Sequence, residues 1–313
     1  MNLEVDVNDG RIAEIKEASA GEPNSAEERW FRRSKGSTAA MRLFAFPYAG
    51  GSARMFREWH EWFAPNVEVV AVELPGRGMH RRNPAVDRME TVLERLLIAL
   101  DPLLDVPFAL FGHSLGALIA FELSRALMKS GRRTPLHLFV SGMRAPHLIH
   151  LVREENQVNN LPDVELIEAL RAFNGTPAEL FEDRGLLELF LPILRADLRL
   201  GETYLHTLSQ PLHHPITVFG GLEDRTAPTE CLHEWTLHTR GACTVCLLEG
   251  DHFFIHQQQH VMAASILKSL GKAHPFEEFG PSLVQDGPPN LRPVRQLSSQ
   301  LRTEGGGLER KSG

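Results

Sequence analysis

The stretch Phe108-Ala-Leu-Phe-Gly-His-Ser-Leu-Gly-Ala-Leu118 constrains this chain more than any other, because an apolar run breaks at a tight turn and resumes as an apolar helix. Its centre, Gly112-His113-Ser114-Leu115-Gly116, has the G-x-S-x-G form of a turn that lifts a serine Oγ above the end of a sheet. Positions 112 and 116 must lack a Cβ if strand and helix are to approach each other across so crowded a turn. Residues 106–111 form the short apolar run of a strand buried on both faces. Residues 115–130 predict a helix with one wet stripe, Glu122, Arg125 and Lys129, ended by Gly131. The pentapeptide alone is a weak signal; strand before it and helix after it make it a functional one.

The same rhythm recurs along the chain. Met41–Phe46 and Val67–Val72 read as strands, Asp87-Arg-Met-Glu90 as a capping box opening a helix with Met89, Val92, Leu93, Leu96 and Leu100 inward, and Leu136–Gly142 as a further strand. After a break, Ile216–Gly220 and Thr244–Leu248 continue the pattern, and a last helix is expected near His256 to Ser269, closed by Gly271. Strands alternating with helices this regularly imply an α/β protein with a mainly parallel sheet and helices on both faces. Between about 144 and 205 the rhythm gives way to helical patterns. An insertion there, on the ligand side of the sheet, would serve as a lid or else as a helical cover for the sheet edge. Residues 1–27 read as a flexible extension, 28–271 as one catalytic domain, and 272–313, rich in Pro, Gly, Ser and Gln, as a disordered tail.

Composition excludes several classes. A formal charge of −7 argues against general nucleic-acid binding. The N-terminus lacks the apolar core of a secretory signal, and no run approaches the ~18 apolar residues of a membrane span, so a cytoplasmic location and no membrane partner are expected. Cys243-Thr-Val-Cys246 has a C-x-x-C spacing, yet on a strand an odd offset sends the two thiols to opposite faces, so neither a disulfide nor a metal site is expected there.

A serine hydroxyl needs a histidine to take its proton and a carboxylate to orient that histidine. In elbow enzymes these follow in the order Ser, acid, His. Gly220-Gly-Leu-Glu-Asp224 and Gly250-Asp-His252-Phe-Phe each follow a strand directly, and both therefore project from the sheet edge that carries Ser114. His252 is favoured among 15 histidines by position alone, with His256 expected to face elsewhere and His113 to be a packing residue. Asp224 is preferred over Glu223 and over Asp251, whose side chain would point away from the ring beside it. The small-residue loop Pro47-Tyr-Ala-Gly-Gly-Ser52 and the residue after the serine, Leu115, would supply the backbone N–H groups of an oxyanion hole. The basic turn Arg77-Gly-Met-His80-Arg81-Arg82 follows a strand too and is expected at the same edge.

From about Trp30 to Leu270 these residues resemble the stand-alone type II thioesterases of nonribosomal peptide and polyketide pathways, of the α/β-hydrolase superfamily. The resemblance rests on Phe46-Pro-Tyr-Ala-Gly-Gly, Leu74-Pro-Gly-Arg-Gly, the elbow, Asn174-Gly-Thr-Pro, Leu194-Arg-Ala-Asp-Leu with Glu202-Thr-Tyr204, Gly220-Gly-Leu-Glu-Asp and Gly250-Asp-His-Phe-Phe. Gly-Asp-His stands where Gly-Gly-His is commoner. The resemblance implies an α/β-hydrolase fold with a helical lid and hydrolysis of acyl thioesters on the phosphopantetheine arm of an acyl- or peptidyl-carrier protein. It implies a Ser114, Asp224, His252 triad, the amides of Ala49 and Leu115 as oxyanion donors, and a monomer that needs no metal or cofactor, since the pantetheine arrives with the substrate. Arg77, His80, Arg81 and Arg82 are candidates to meet the acidic carrier and its phosphate. A general carboxylesterase or lipase would share the triad but prefer oxygen esters, and a non-catalytic binding protein would normally have lost one of its members.

Overall fold

The apolar runs pair into one seven-stranded sheet in the order β1-β3-β2-β4-β5-β6-β7, where β1 is Phe31–Arg33, β2 Met41–Phe46, β3 Val67–Val72, β4 Phe108–His113, β5 Leu138–Ser141, β6 Ile216–Gly221 and β7 Cys243–Leu248. This computed structural model describes residues 30–33, 39–78, 81, 83–152, 157–172 and 181–274. Every pair of neighbouring strands other than β1 and β3 is parallel. Among the described residues, seven α-helices accompany the sheet: α1 Trp59–Phe63, α2 Met89–Leu100, α3 Leu115–Lys129, α4 Asp163–Ala172, α5 Arg184–Glu202, α6 Thr229–His233 and α7 Ile255–Ala273.

Alternation along the strands divides the core in two. Phe44, Phe46, Val70, Val72, Leu110 and Val140 face α2 and α3, while Leu43, Ala45, Val69, Phe111 and Phe139 face α1 and α7. The two β7 cysteines follow that rule: Cys243 packs into the first layer and Cys246 into the second, and both are free thiols. Burial pushes the Cys243 thiol up to about 11, so neither a disulfide nor a reactive thiolate arises from this pair.

Strand β1 carries no period that a sequence could reveal in three residues. It pairs antiparallel with β3, and its side chains explain why. Phe31 packs at 6.1 Å from the Phe44 ring. Arg33 donates to both oxygens of the buried Glu68 at 2.8 and 3.0 Å, and Arg42 adds a third bond at 2.9 Å. A carboxylate inside β3 is tolerable only because two guanidinium groups bracket it.

Two helix boundaries differ from the sequence reading. Helix α2 begins after Arg88, which makes no side-chain cap; Asp87 instead pairs with Arg199 at 3.3 Å, so the expected capping box is absent. Helix α7 runs through Gly271 to Ala273, because a glycine ends a helix only where the chain turns left-handed. Gly131 does so, at φ 64, with Arg132 N–H on Leu127 C=O closing the end of α3. The Asn174-Gly-Thr-Pro motif, Met79, His80, Arg82, residues 1–29 and residues 275–313 lie outside the described residues.

Helices α4 and α5 stand between β5 and β6, where the strand rhythm breaks. They share a small apolar core of their own, Leu166, Leu170, Leu191 and Leu194, and form a cap over the edge where β2, β4, β6 and β7 end. None of the described helices is long and apolar enough to cross a membrane.

Candidate active site

Parallel pairing brings the C-terminal ends of β2, β4, β6 and β7 to one edge, with Phe46 opposite Gly112, His113 opposite Ser141 and Gly221 opposite Leu248. Ser114 sits just past β4 at φ 53, ψ −120, the one non-glycine residue with positive φ among those described. Such backbone costs of order 1–3 kcal/mol and is held by Ser114 N–H on Ser141 C=O at 2.8 Å and by Ala117 N–H on Ser114 C=O at 2.9 Å. The flanking glycines have a steric cause. A Cβ on Gly112 would lie 2.1 Å from Gly116 O, and one on Gly116 would lie 2.2 Å from Phe46 O.

The loops after β6 and β7 are zipped together beyond the sheet by Leu222 N–H on Leu248 C=O and Glu223 N–H on Gly250 C=O. This sets the Asp224 carboxylate against the His252 ring, Oδ2 to Nδ1 at 2.9 Å, and His252 Nε2 lies 3.0 Å from Ser114 Oγ. Glu223 points to solvent, and Asp251 Oδ1 accepts from Phe253 N–H, so neither reaches the ring. Asp224 is only 4% exposed. Burial alone would raise its carboxyl, but the bond and charge of His252, with the hydroxyl and backbone N–H of Thr226, bring it down to about 2. The carboxylate is therefore an acceptor only, so the proton on His252 lies on Nδ1 and Nε2 is free to accept from the serine hydroxyl.

Two residues around this chain were not read from sequence. Thr226 donates its hydroxyl to Asp224 Oδ1 at 2.7 Å while its oxygen lies 2.7 Å from His252 Nδ1. Its signal was an Asp-x-Thr pattern, in which the aspartate bonds the backbone two residues on. His113 is more than a packing residue. It is wholly buried, with Nε2 3.0 Å from the His252 carbonyl and Nδ1 2.8 Å from Ser141 Oγ. The carbonyl can only accept, so His113 carries its proton on Nε2 and takes the Ser141 hydroxyl on Nδ1. Burial, with His252 close by, holds its basicity well below the ordinary value. A neutral ring thus braces the backbone of His252 from below.

Leu115 opens α3, and the first N–H groups of a helix have no acceptor within it. Across from it, the Tyr48–Gly51 turn is closed by Gly51 N–H on Tyr48 C=O at 2.9 Å, with Gly50 at φ 74, the form of a type II turn. Tyr48 fastens this turn to α7 through a 3.0 Å bond between its hydroxyl and His256 Nε2, which accounts for His256.

Arg77 stands elsewhere than expected. It is 7% exposed and forks onto Asp197 of α5, 1% exposed, with two bonds of 2.6 Å. It is buried under the cap and cannot meet a carrier; Arg81 of the same turn is exposed. Removing one partner of so buried a pair costs about 3–5 kcal/mol. The other residues of the cap motif act likewise. Glu202 accepts from the N–H groups of Val158 and Asn159, Arg195 donates to Asn159 C=O at 2.6 Å, and Tyr204 donates to Glu122 of α3 at 2.6 Å. Among the described residues no cluster of three or more His, Cys, Asp or Glu could hold a metal ion.

A mainly parallel sheet, a strained serine between β4 and α3, an acid and a histidine on later strand ends and a cap between β5 and β6 define the α/β-hydrolase fold. Within that fold the chain belongs to the thioesterase family, whose domain model matches residues 41–272, and it is a thioester hydrolase. It is 36% identical to the gramicidin S biosynthesis protein GrsT of Aneurinibacillus migulanus, over 79% of this chain and 95% of that protein. It is 35% identical to the thioesterase PikA5 of Streptomyces venezuelae, over 87% and 92%. Among solved structures, the type II thioesterase BorB from the borrelidin biosynthetic cluster superimposes with a TM-score of 0.71 at 31% identity, covering 80% of this chain and 99% of that one.

Proposed function

We propose that this enzyme hydrolyses acyl groups from the phosphopantetheine arm of a carrier protein in nonribosomal peptide, polyketide or fatty acid synthesis, with Ser114 as nucleophile, His252 as base and Asp224 as its orienting acid. The observation that carries the reading is the unbroken chain from Asp224 Oδ2 through His252 to Ser114 Oγ, at 2.9 and 3.0 Å, beneath a cap. The similarity to GrsT, a gramicidin S biosynthesis protein, and to BorB, a type II thioesterase of a biosynthetic cluster, supports this substrate class.

In this mechanism His252 Nε2 takes the Ser114 proton as Oγ attacks the thioester carbonyl carbon. The carbonyl oxygen becomes an oxyanion between the amides of Leu115 and Ala49, where one such donor is worth roughly 10²–10³ in kcat. Collapse breaks the C–S bond, and the imidazolium gives its proton to the departing thiolate. Water, deprotonated by the same nitrogen, then attacks the acyl ester, and the acid leaves as the proton returns to Ser114. Asp224, ionised down to about pH 2, stabilises the imidazolium throughout.

Of the basic turn, Arg81 is the cation left to meet an acidic carrier among the described residues. The reading is tested with one acyl group presented as a thioester, as the matched oxygen ester, on free pantetheine and on a carrier protein. Preference for the thioester and for the carrier is expected. Faster turnover of the oxygen ester would make the protein a general esterase instead.

A further inference from the structure

The motif residues Arg77 and Asp197 take no part in the triad, yet they converge on the turn that carries Ala49. We propose, on the reading of Ala49 as an oxyanion donor, that Arg77 and Asp197 are positioning residues through which the cap helix sets the direction of the Ala49 N–H. Asp197 Oδ2 accepts from Gly50 N–H at 2.7 Å and from Arg77 Nη1 at 2.6 Å, while Oδ1 accepts from Arg77 Nη2 at 2.6 Å. The same Nη1 donates to Gly51 C=O at 3.0 Å. Gly51 N–H in turn holds Tyr48 C=O. In a trans peptide the C=O and N–H of one unit point opposite ways, so fixing Tyr48 C=O aims Ala49 N–H to the other side. The consecutive peptide units of the turn are thus each pinned, two of them by this one ion pair.

The cap helix is seated on the turn by contact as well as by charge. A Cβ on Gly50 would lie 2.8 Å from Phe190 Cζ and 3.2 Å from Leu194 Cδ1. Phe190, Leu194 and Asp197 lie at i, i+4 and i+7, so one face of α5 presses on the turn. One turn further along, the place a Cβ would take on Gly201 lies 3.7 Å from Leu115 Cδ1. A single helix therefore rests on both residues whose amides would meet the oxyanion. When α5 is docked, the turn has the one geometry that Asp197 and Arg77 allow; without α5, Gly50 N–H loses its acceptor, and Arg77, which holds Gly51 C=O, loses its counter-ion.

The test compares wild type, Asp197→Asn, and the double variant Arg77→Met with Asp197→Leu, on a short acyl-pantetheine thioester and with a trifluoromethyl ketone that mimics the oxyanion. The double variant replaces a buried ion pair by apolar groups of similar size, a change that commonly leaves folding intact. In it, and in Asp197→Asn, kcat should fall about 10- to 100-fold with KM within about threefold. Affinity for the ketone should fall in parallel, while affinity for the product acid stays unchanged. A double variant that folds and keeps its kcat and its ketone affinity would overturn the proposal, and so would a loss confined to melting temperature. Ser114→Ala is the control for the underlying reading: wild type inactive on the thioester, or Ser114→Ala as active as wild type, would bring down the mechanism itself and the clamp with it.

Discussion

At the sheet edge, Ser114 and Asp224 follow β4 and β6, strands buried at every residue, whereas the cap has an apolar core of four buried leucines, is knit together by the bonds of Glu202 and Arg195 to Val158 and Asn159, and is tied to the body by polar bonds at Tyr204, Asp197 and Arg199. Reacting groups held by the sheet cannot shift without breaking the core, because close-packed interiors transmit strain rather than absorb it. A unit with so small a core of its own, docked through Leu200, Tyr204 and a few polar bonds, is expected to move at lower cost than the strands of the sheet. The division fits the proposed function, in which a fixed triad would act on an acyl chain that enters and leaves beneath a cover.

The largest effect is expected at the elbow. Gly112→Ala would set a methyl 2.1 Å from backbone that has nowhere to go, and a loss of about 3 kcal/mol or more is expected, seen as a collapse of melting temperature with no active fraction. Next in size is Asp224→Asn, which keeps the shape but removes the anion; kcat should drop roughly 10²–10⁴-fold, while Glu223→Gln, exposed and off the ring, should change little. Asp224 also predicts a pH effect on stability. Its folded value of about 2 lies below the ordinary 3.8, so its contribution, about 2 kcal/mol, is fully present above pH ~4 and is lost as pH falls towards 2. Denaturation of wild type and Asp224→Asn should therefore differ by a constant amount at neutral pH and converge in acid.

On the cap side, Glu202→Gln weakens the bonds that hold Val158 and Asn159 to the end of α5. A loss of about 1 kcal/mol is expected, with faster amide exchange across residues 157–172 and unchanged protection in β4 and β6. Equal loosening of the sheet would show that cap and core are one cooperative unit. Smallest is Arg81→Ala, an exposed change expected to leave a short thioester unaffected and to cost a few-fold, in low salt only, on a carrier protein.

The same division governs what the sequence revealed. Strands β2 and β3 were legible to the residue, because buried parallel strands are written as short apolar runs, and Ser114 was legible because only glycines fit on either side of it. Asp224 followed from its place just past β6. Residues whose meaning lies in distant partners were opaque: Arg77 read as a surface cation because Asp197 is 120 positions away, and β1 was invisible because Glu68, which holds it, is 35 positions from Arg33. The cap motif was recognisable by resemblance, but its physical content, four polar anchors on one helix and the segments flanking it, emerged only from the fold.

Under the proposed function, Ser114 cleaves an acyl thioester on a carrier protein. This step is tested most directly by the intact mass of an acyl-phosphopantetheinyl carrier incubated with enzyme. Wild type should shift the carrier down by the mass of the acyl group and leave the pantetheine arm in place, and Ser114→Ala, folded and at equal concentration, should leave the acyl carrier intact. Deacylation by Ser114→Ala at the wild-type rate, or a carrier that keeps its acyl group in the presence of wild type, would contradict the account.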